Sequence, residues 1–338
     1  MKLSERLAVL VKLGEHLKGQ DEYLEAVMAR SLYHNGWFTI ENQQAAVKAI
    51  ASEFLDKKKL EDWASLYFIG EPPLPKTVGM VLAGNLPLVG FHDVLAVFVS
   101  GHKSQVKLSE KDKFLLPYLF QLLKRYDDRT AHYFEVVEQL SGFEAVIATG
   151  SNNSSRYFEA YFGKYPHIIR RNRNGIAVLT GHETPEALHL LGEDVFRFFG
   201  LGCRNVSKIY VPEGYDFDPL LTALHEFRKI ILNNKFKNNF DHNYAILILN
   251  KASFKANGCI LTSENDSLSS PIACLHYSYY SSLEILEKEL QFKKNEIQCV
   301  VSQQEFTNVP VIPFGKAQEP GLTDYADGID TMEFLLGL

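Results

Sequence analysis

No pair of cysteines in this sequence stands at C-x-x-C spacing, and no histidine lies at a metal-ligand spacing from one. That excludes a zinc site or a redox pair as the reading of Cys203, Cys259, Cys274 and Cys299, which stand as four separate thiols. Blocks of like charge are missing as well. With 41 acidic against 35 basic residues the net charge is -6, so the chain exerts no global pull on nucleic acid or an anionic membrane and must hold any anionic ligand locally. No apolar run approaches the roughly 20 residues that span a bilayer. The opening segment interrupts its apolar positions with Lys2, Glu5, Arg6, Lys12 and Glu15, unlike a secretion signal. Internal repeats and low-complexity tracts are absent too. We therefore expect a cytoplasmic protein with no membrane span, no bound metal and no nucleic-acid partner.

What is present is the balance of a globular chain, 46% hydrophobic and 22% charged, and 338 residues suffice for two ordinary domains without disulfide or metal support. Residues 3–59 carry helix-spaced apolar positions, among them Leu7, Leu10, Leu13, Leu17, Leu24 and Met28, and read as a helical cap or dimer-facing appendage. The prolines of Glu71-Pro72-Pro73-Leu74-Pro75 break any helix, and a domain is expected to start there. From Thr77 apolar runs alternate with amphipathic stretches: strands at 78–83, 104–108, 143–148 and 167–171, helices at 88–99, 111–126 and 157–162. A second series places strands at 176–179, 207–211, 244–249, 274–279 and 298–301, with helices at 185–198 and 220–232. Residues 233–243 and 263–270 read as exposed loops. Such alternation predicts an α/β fold of two doubly wound domains behind a helical N-terminal segment. The expected division is 1–70 helical, 71–172 nucleotide-binding and Rossmann-like, and 173–338 catalytic, with ligands at the carboxyl ends of strands.

Three strand exits attract attention. Gly84-Asn85-Leu86-Pro87-Leu88 presents backbone N–H groups and one amide where charge could be stabilised, or else an ordinary asparagine cap. Lys107, Ser109 and Glu110 offer polar contacts for a nucleotide ribose and phosphate, or a capping serine with solvated charges. Gly150 and Ser151 suit close approach to a pyrophosphate. Cys203, between Gly202 and Arg204, is either an accessible nucleophile or a small buried hydrophobe. Arg170, Arg171 and Arg173 could grip a phosphate or form a solvated strand end. His92, Asp93, His182, Glu183 and His189 are candidate proton donors with structural alternatives.

Read in order, Asn85-Leu86-Pro87, Lys107-Leu108-Ser109-Glu110, Thr149-Gly150-Ser151 and Cys203 resemble the aldehyde dehydrogenase superfamily over most of the chain. More narrowly, residues 83–88 running into 101–109 resemble the acyl-CoA reductase family, which includes the fatty-acid reductase of bacterial luminescence. The resemblance implies that Cys203 accepts an acyl group as a thioester and that Asn85, with the cysteine's backbone N–H, holds the oxyanion. It implies that Lys107, Ser109, Glu110, Gly150 and Ser151 contact the cofactor, NADPH or NADH, the arginine run favouring NADPH. Pro313-Phe314-Gly315 resembles a segment that returns near the active site. Hydrolytic members carry a Glu-Leu-Gly-Gly base where this chain has 171–175 without a carboxylate, which favours exchange with coenzyme A over attack by water. The expected activity is reduction of acyl-CoA, of fatty type, to aldehyde and CoA. A CoA-acylating dehydrogenase working oxidatively, or a non-catalytic nucleotide- or acyl-CoA-binding relative, are the alternatives. A homodimer is expected only by analogy.

Overall fold

A computed structural model describes residues 1–70 and 74–338. The proline break expected at Glu71-Pro72-Pro73 lies outside the described residues. The chain forms two compact units, Met1–Asn172 with Pro320–Leu338, and Arg173–Glu319. No helix among the described residues is long and apolar enough to cross a membrane.

Unit 1 begins with four helices, α1 (Leu3–Leu17), α2 (Glu22–His34), α3 (Ile40–Ala49) and α4 (Lys57–Ser65). Asp21, Thr39 and Asp56 cap α2, α3 and α4 by accepting N–H groups of the first turn. Then follow β1 (Thr77–Val81), α5 (Phe91–Ser100), β2 (Lys103–Lys107), α6 (Leu115–Tyr126), β3 (Phe134–Val136), β4 (Ala145–Thr149), α7 (Asn152–Phe162) and β5 (His167–Arg170). The sheet order is β3-β2-β1-β4-β5, all parallel. Successive strands run outward from β1 to β3 and then return beyond β1, so the chain reverses its direction of growth between β1 and β4.

Two features of unit 1 differ from the sequence reading. The N-terminal helices are no appendage: Val9, Leu10 and Leu13 share one core with Val78, Met80, Val97 and Val99, and the Arg6 guanidinium donates to the Val99 carbonyl at 3.1 Å. The last residues, expected in the domain 173–338, also belong here. Trp63 Nε1 donates to the Tyr325 hydroxyl at 2.8 Å, and Met332 and Leu335 on the terminal helix (Thr331–Leu336) are buried in that same core. A helix one face of which is apolar must bury that face somewhere, and only the folded chain shows where.

Unit 2 contains β6 (Asn174–Val178), α8 (Pro185–Phe196), β7 (Val206–Pro212), α9 (Asp218–His225), α10 (Asn234–Leu249), β8 (Phe254–Ala256), β9 (Leu261–Glu264), β10 (Cys274–Tyr280), α11 (Leu283–Phe292), β11 (Ile297–Ser302) and β12 (Val311–Ile312). Numbered after these, the terminal helix of unit 1 is α12. The sheet order is β12-β11-β6-β7-β10-β9-β8, parallel except for β8 against β9. The strand expected at 244–249 and the loop expected at 233–243 are one helix, α10. Asn233 caps it by accepting from Lys235 and Phe236 N–H, and Lys237 pairs with Asp241 one turn on. A six-residue apolar run does not by itself distinguish strand from helix, and here its end is open, Leu249 being 76% exposed. Of the polar stretch 263–270, the first residues belong to β9.

Candidate functional site

In unit 1 the exits of β2, β1 and β4 lie side by side at the carboxyl edge of the sheet. The chain leaves β1 through Gly84, where a Cβ would sit 2.5 Å from Ser109 Cβ. Without a side chain at Gly84 the turns after β1 and β2 touch with no displacement of Ser109. The turn then passes through half-buried Asn85 to Leu88, which is buried in left-handed backbone at φ 58°. This conformation costs a non-glycine residue about 1–2 kcal/mol. Asp112 offsets it by accepting the Leu88 N–H at 2.8 Å. Asp112 is 8% exposed; its second oxygen has no hydrogen-bond partner among the described residues, and the residue lines a small cavity with Leu82, Leu88 and Ser109. Burial pushes this carboxyl up to about 6, the Leu88 N–H opposing it.

The remaining residues of this edge are partly committed. Lys107, the last residue of β2, is exposed. Ser109 accepts the Lys111 N–H at 3.3 Å. Glu110 is ion-paired with Lys113, which holds its carboxyl below the ordinary value. The N-terminal helices brace this turn, His34 Nε2 lying 2.7 Å from the Glu110 carbonyl and Asn35 donating to the Lys111 carbonyl at 3.2 Å. Gly150 N–H donates to the Arg170 carbonyl at 3.3 Å. Ser151 caps α7, accepting Ser154 N–H at 3.1 Å.

In unit 2 Cys203 is the exposed thiol; Cys259 and Cys299 are buried and Cys274 partly so. Burial pushes Cys259 up to about 11 and Cys274 and Cys299 up to about 12, away from thiolate chemistry. Cys203 lies just before β7, at the amino edge of the parallel strands, not the carboxyl edge that the strand rule would favour. Between α8 and Cys203, three successive residues are left-handed: Phe198 at φ 53°, Phe199 at 60° and Gly200 at 72°. Two phenylalanines in that region are a strained choice. Gly202-Cys203-Arg204-Asn205 then forms a turn closed twice. Asn205 N–H donates to the Gly202 carbonyl at 3.1 Å, and Gly202 N–H donates to Asn205 Oδ1 at 2.8 Å. Asn205 Nδ2 donates onward to the Asp194 and Arg197 carbonyls at 2.9 and 2.8 Å.

Two further segments meet this turn. β6 passes against it at Gly175, its second residue, where a Cβ would fall 2.5 Å from the Arg204 carbonyl oxygen and 2.6 Å from that of Asn205. On the other side of α8, the Asp194 carboxylate accepts Gly315 N–H at 2.7 Å and Ala317 N–H at 3.0 Å, which ties Pro313-Phe314-Gly315 to the helix that leads to Cys203. Burial pushes Asp194 up to about 6, opposed by those two N–H groups.

Several candidates have other work. Arg170 is 3% exposed, ion-paired with Asp93 and bonded to Thr331 Oγ1 at 2.9 Å, so it is no phosphate grip and Asp93 no proton donor. Arg171 pairs with Glu159, and Arg173 donates to the Lys294 carbonyl. His92 Nε2 lies 2.9 Å from the Leu322 carbonyl. Glu183 accepts from Thr180 and Gly181 to close its own turn, and His189 pairs with Glu226. Asp112, Asp194, Asn205 and Gly175 were not among the sequence candidates. The only local signal was the position of Asn205, two residues past the cysteine.

No family model matches the chain, and no curated protein matches it. Solved structures do. Aldehyde dehydrogenase 21 from Physcomitrella patens, in complex with the reaction product succinate, aligns at TM-score 0.72 and 14% identity over 100% of this chain and 84% of its own. An NADP dependent enzyme of E. coli aligns at 0.69 and 12%, covering 95% and 79%. An NAD+ complex of an aldehyde dehydrogenase from Bacillus cereus aligns at 0.63 and 14%, covering 90% and 72%. At such identities the likeness speaks for architecture, and the chain has an aldehyde dehydrogenase-like α/β fold.

Proposed function

We propose that this protein is an NAD(P)H-dependent oxidoreductase of the aldehyde dehydrogenase type, and within it an acyl-CoA reductase. The observation that carries the proposal is Cys203: an exposed thiol at the centre of a doubly closed turn, while the other three thiols are withdrawn by burial. The Cys203 thiolate attacks the thioester carbonyl of acyl-CoA. A sulfur–carbon bond forms, the bond to CoA breaks, and CoA leaves as a thiolate that takes up a proton. Asn85 is assigned the amide that stabilises the oxyanion, by resemblance.

A nicotinamide nucleotide fits the carboxyl edge of unit 1. Gly84 keeps the β1 exit free of a side chain, and the Ser151-capped start of α7 offers backbone N–H groups suited to a pyrophosphate. Lys107, Ser109 and Glu110 would meet its ribose. When bound it supplies the hydride that reduces the acyl group to aldehyde and returns Cys203 as a thiolate. With Arg170 held by Asp93, the preference for NADPH over NADH loses its main support.

CoA-linked chemistry is favoured over hydrolysis by what lies against the cysteine turn. The segment in the place of the hydrolytic base presents Gly175 to the Arg204 and Asn205 carbonyls and contains no carboxylate. Water attack needs such a base; a thiol, more easily deprotonated than water, needs much less help. The test is mass spectrometry after incubation with a medium- or long-chain acyl-CoA and no reductant. We expect an acyl adduct on Cys203, absent in Cys203→Ala, that is discharged as aldehyde on adding NAD(P)H. Turnover should fall roughly 10⁴-fold or more in Cys203→Ala. No adduct at any chain length, with nucleotide still bound, would point to a non-catalytic relative.

A further inference from the structure

The loop that carries Cys203 is tied at both of its ends by one side chain, that of Asn205. Phe198, Phe199 and Gly200 turn the chain left-handed off the end of α8, a conformation that persists only where its surroundings over-determine it. Asn205 supplies that constraint while itself nearly inaccessible at 3% exposure. Its Nδ2 takes up the carbonyl of Asp194, in the last turn of α8, and that of Arg197, the residue that follows the helix. Its Oδ1 and backbone N–H both grip Gly202, so Cys203 and Arg204 are the two residues enclosed by a reciprocal pair of bonds. Neither bond involves the thiol, and none reaches the sheet core. The hydrogen-bonding capacity of this amide is spent on the backbone atoms that fix where residue 203 stands relative to α8.

We infer that Asn205 is a positioning residue for Cys203, clamping the nucleophile's turn to the end of α8 without touching the reacting atoms. This rests on the reading of Cys203 as the acyl-accepting nucleophile. An ordinary helix cap would need only the two Nδ2 bonds. The additional closure of Gly202 from both sides is what ties the side chain to the thiol's placement and not merely to the helix end.

Asn205→Ala removes every side-chain bond of the clamp. Asn205→Asp keeps the shape and the acceptor for Gly202 N–H but sets a carboxylate oxygen against the two α8 carbonyls. Three measurements apply to each folded variant and the wild type: the rate of acyl adduct formation against acyl-CoA concentration, the pH–rate profile of Cys203 alkylation by iodoacetamide, and amide hydrogen exchange across 197–205. Because a misplacement of about 1 Å can cost up to ~100-fold, we expect the limiting acylation rate to fall about tenfold or more. The half-saturating acyl-CoA concentration should stay within about twofold, and the alkylation profile should differ from wild type. A folded variant that matches wild type within about twofold in limiting rate, with a superimposable alkylation profile, overturns the inference. In the wild type itself, Gly202 and Asn205 amides should exchange as slowly as those of α8. Exchange as fast as in an open loop also overturns it, whether or not the variants fold. If the wild type forms no acyl adduct, the acyl-transfer reading fails, while alkylation and exchange still decide whether the clamp controls the thiol.

Discussion

The turn after β1 in unit 1 and the loop before β7 in unit 2 solve one problem with different chemistry. Each takes non-glycine residues into left-handed backbone, Leu88 in the first and Phe198 with Phe199 in the second, and each is pinned by a buried polar side chain. In unit 1 the pin is Asp112, a carboxylate that holds one N–H and leaves one oxygen without a hydrogen bond among the described residues. In unit 2 the pin is Asn205, neutral and bonded through both ends of its amide, backed by Asp194 with both oxygens engaged. The difference teaches that the cysteine loop is pinned by a neutral amide bonded at both ends, whereas the asparagine turn is pinned by a titratable group with spare capacity.

That contrast can be broken first at the chemistry. Asn85→Ala should lower kcat by about 10²–10³-fold, the loss of one oxyanion donor. A loss confined to KM would remove Asn85 from the transition state and leave the turn as a binding element only.

The close approaches come next. Gly175→Ala sets a Cβ against two carbonyl oxygens of the cysteine turn, and backbone cannot rotate away; we expect about 2–3 kcal/mol of lost stability by denaturant unfolding, together with lost acylation. Gly84→Ala meets a serine side chain that has some freedom to move and should cost nearer 1 kcal/mol, restored in part by Ser109→Gly. Equal costs would mean the two loops are equally constrained.

The two buried carboxyls sharpen the comparison further. Asp194→Asn loses an acceptor for either Gly315 or Ala317 N–H and should cost about 1–3 kcal/mol at pH 7. Asp112→Asn retains its bond to Leu88 and should stay within about 1 kcal/mol of wild type. Both carboxyls are raised from 3.8 to about 6 in the folded chain, so the folded state holds their protons more tightly than the unfolded state does. The stability linked to them is fully present below pH 3.8 and is lost as pH rises through 6. The stability of Asp112→Asn relative to wild type should therefore climb by about 1–3 kcal/mol between pH 4 and pH 7. A flat difference would show that Asp112 is not the group whose ionisation loads the asparagine turn.

Much of the architecture was legible because buried parallel strands tend to be short apolar runs: β1, β4, β6, β7 and β11 announce themselves in this way. α10 did not, because its apolar residues Ile246, Ile248 and Leu249 remain exposed and carry no burial pattern to read. β3 and β8, three residues each at sheet edges, offer too little pattern to detect. Around Cys203 the motif order pointed to the thiol, but nothing in Gly-Cys-Arg-Asn tells which carbonyls the asparagine will meet. Arg170 was misread for the same reason, since its partner Asp93 lies 77 residues away.

The sequence by itself determined much of the alternation of elements and the lack of a carboxylate in 171–175, since each follows from a residue and its immediate neighbours, while Cys203 stood out among four thiols through the order of motifs along the chain. Only the tertiary structure decided that residues 320–338 return to unit 1, that the N-terminal helices enter its core, and that Asp112, Asp194 and Asn205 hold the candidate loops. Local pattern encodes local conformation. A buried polar group must instead find its partner wherever the folded chain delivers one, and that is a property of the whole chain path.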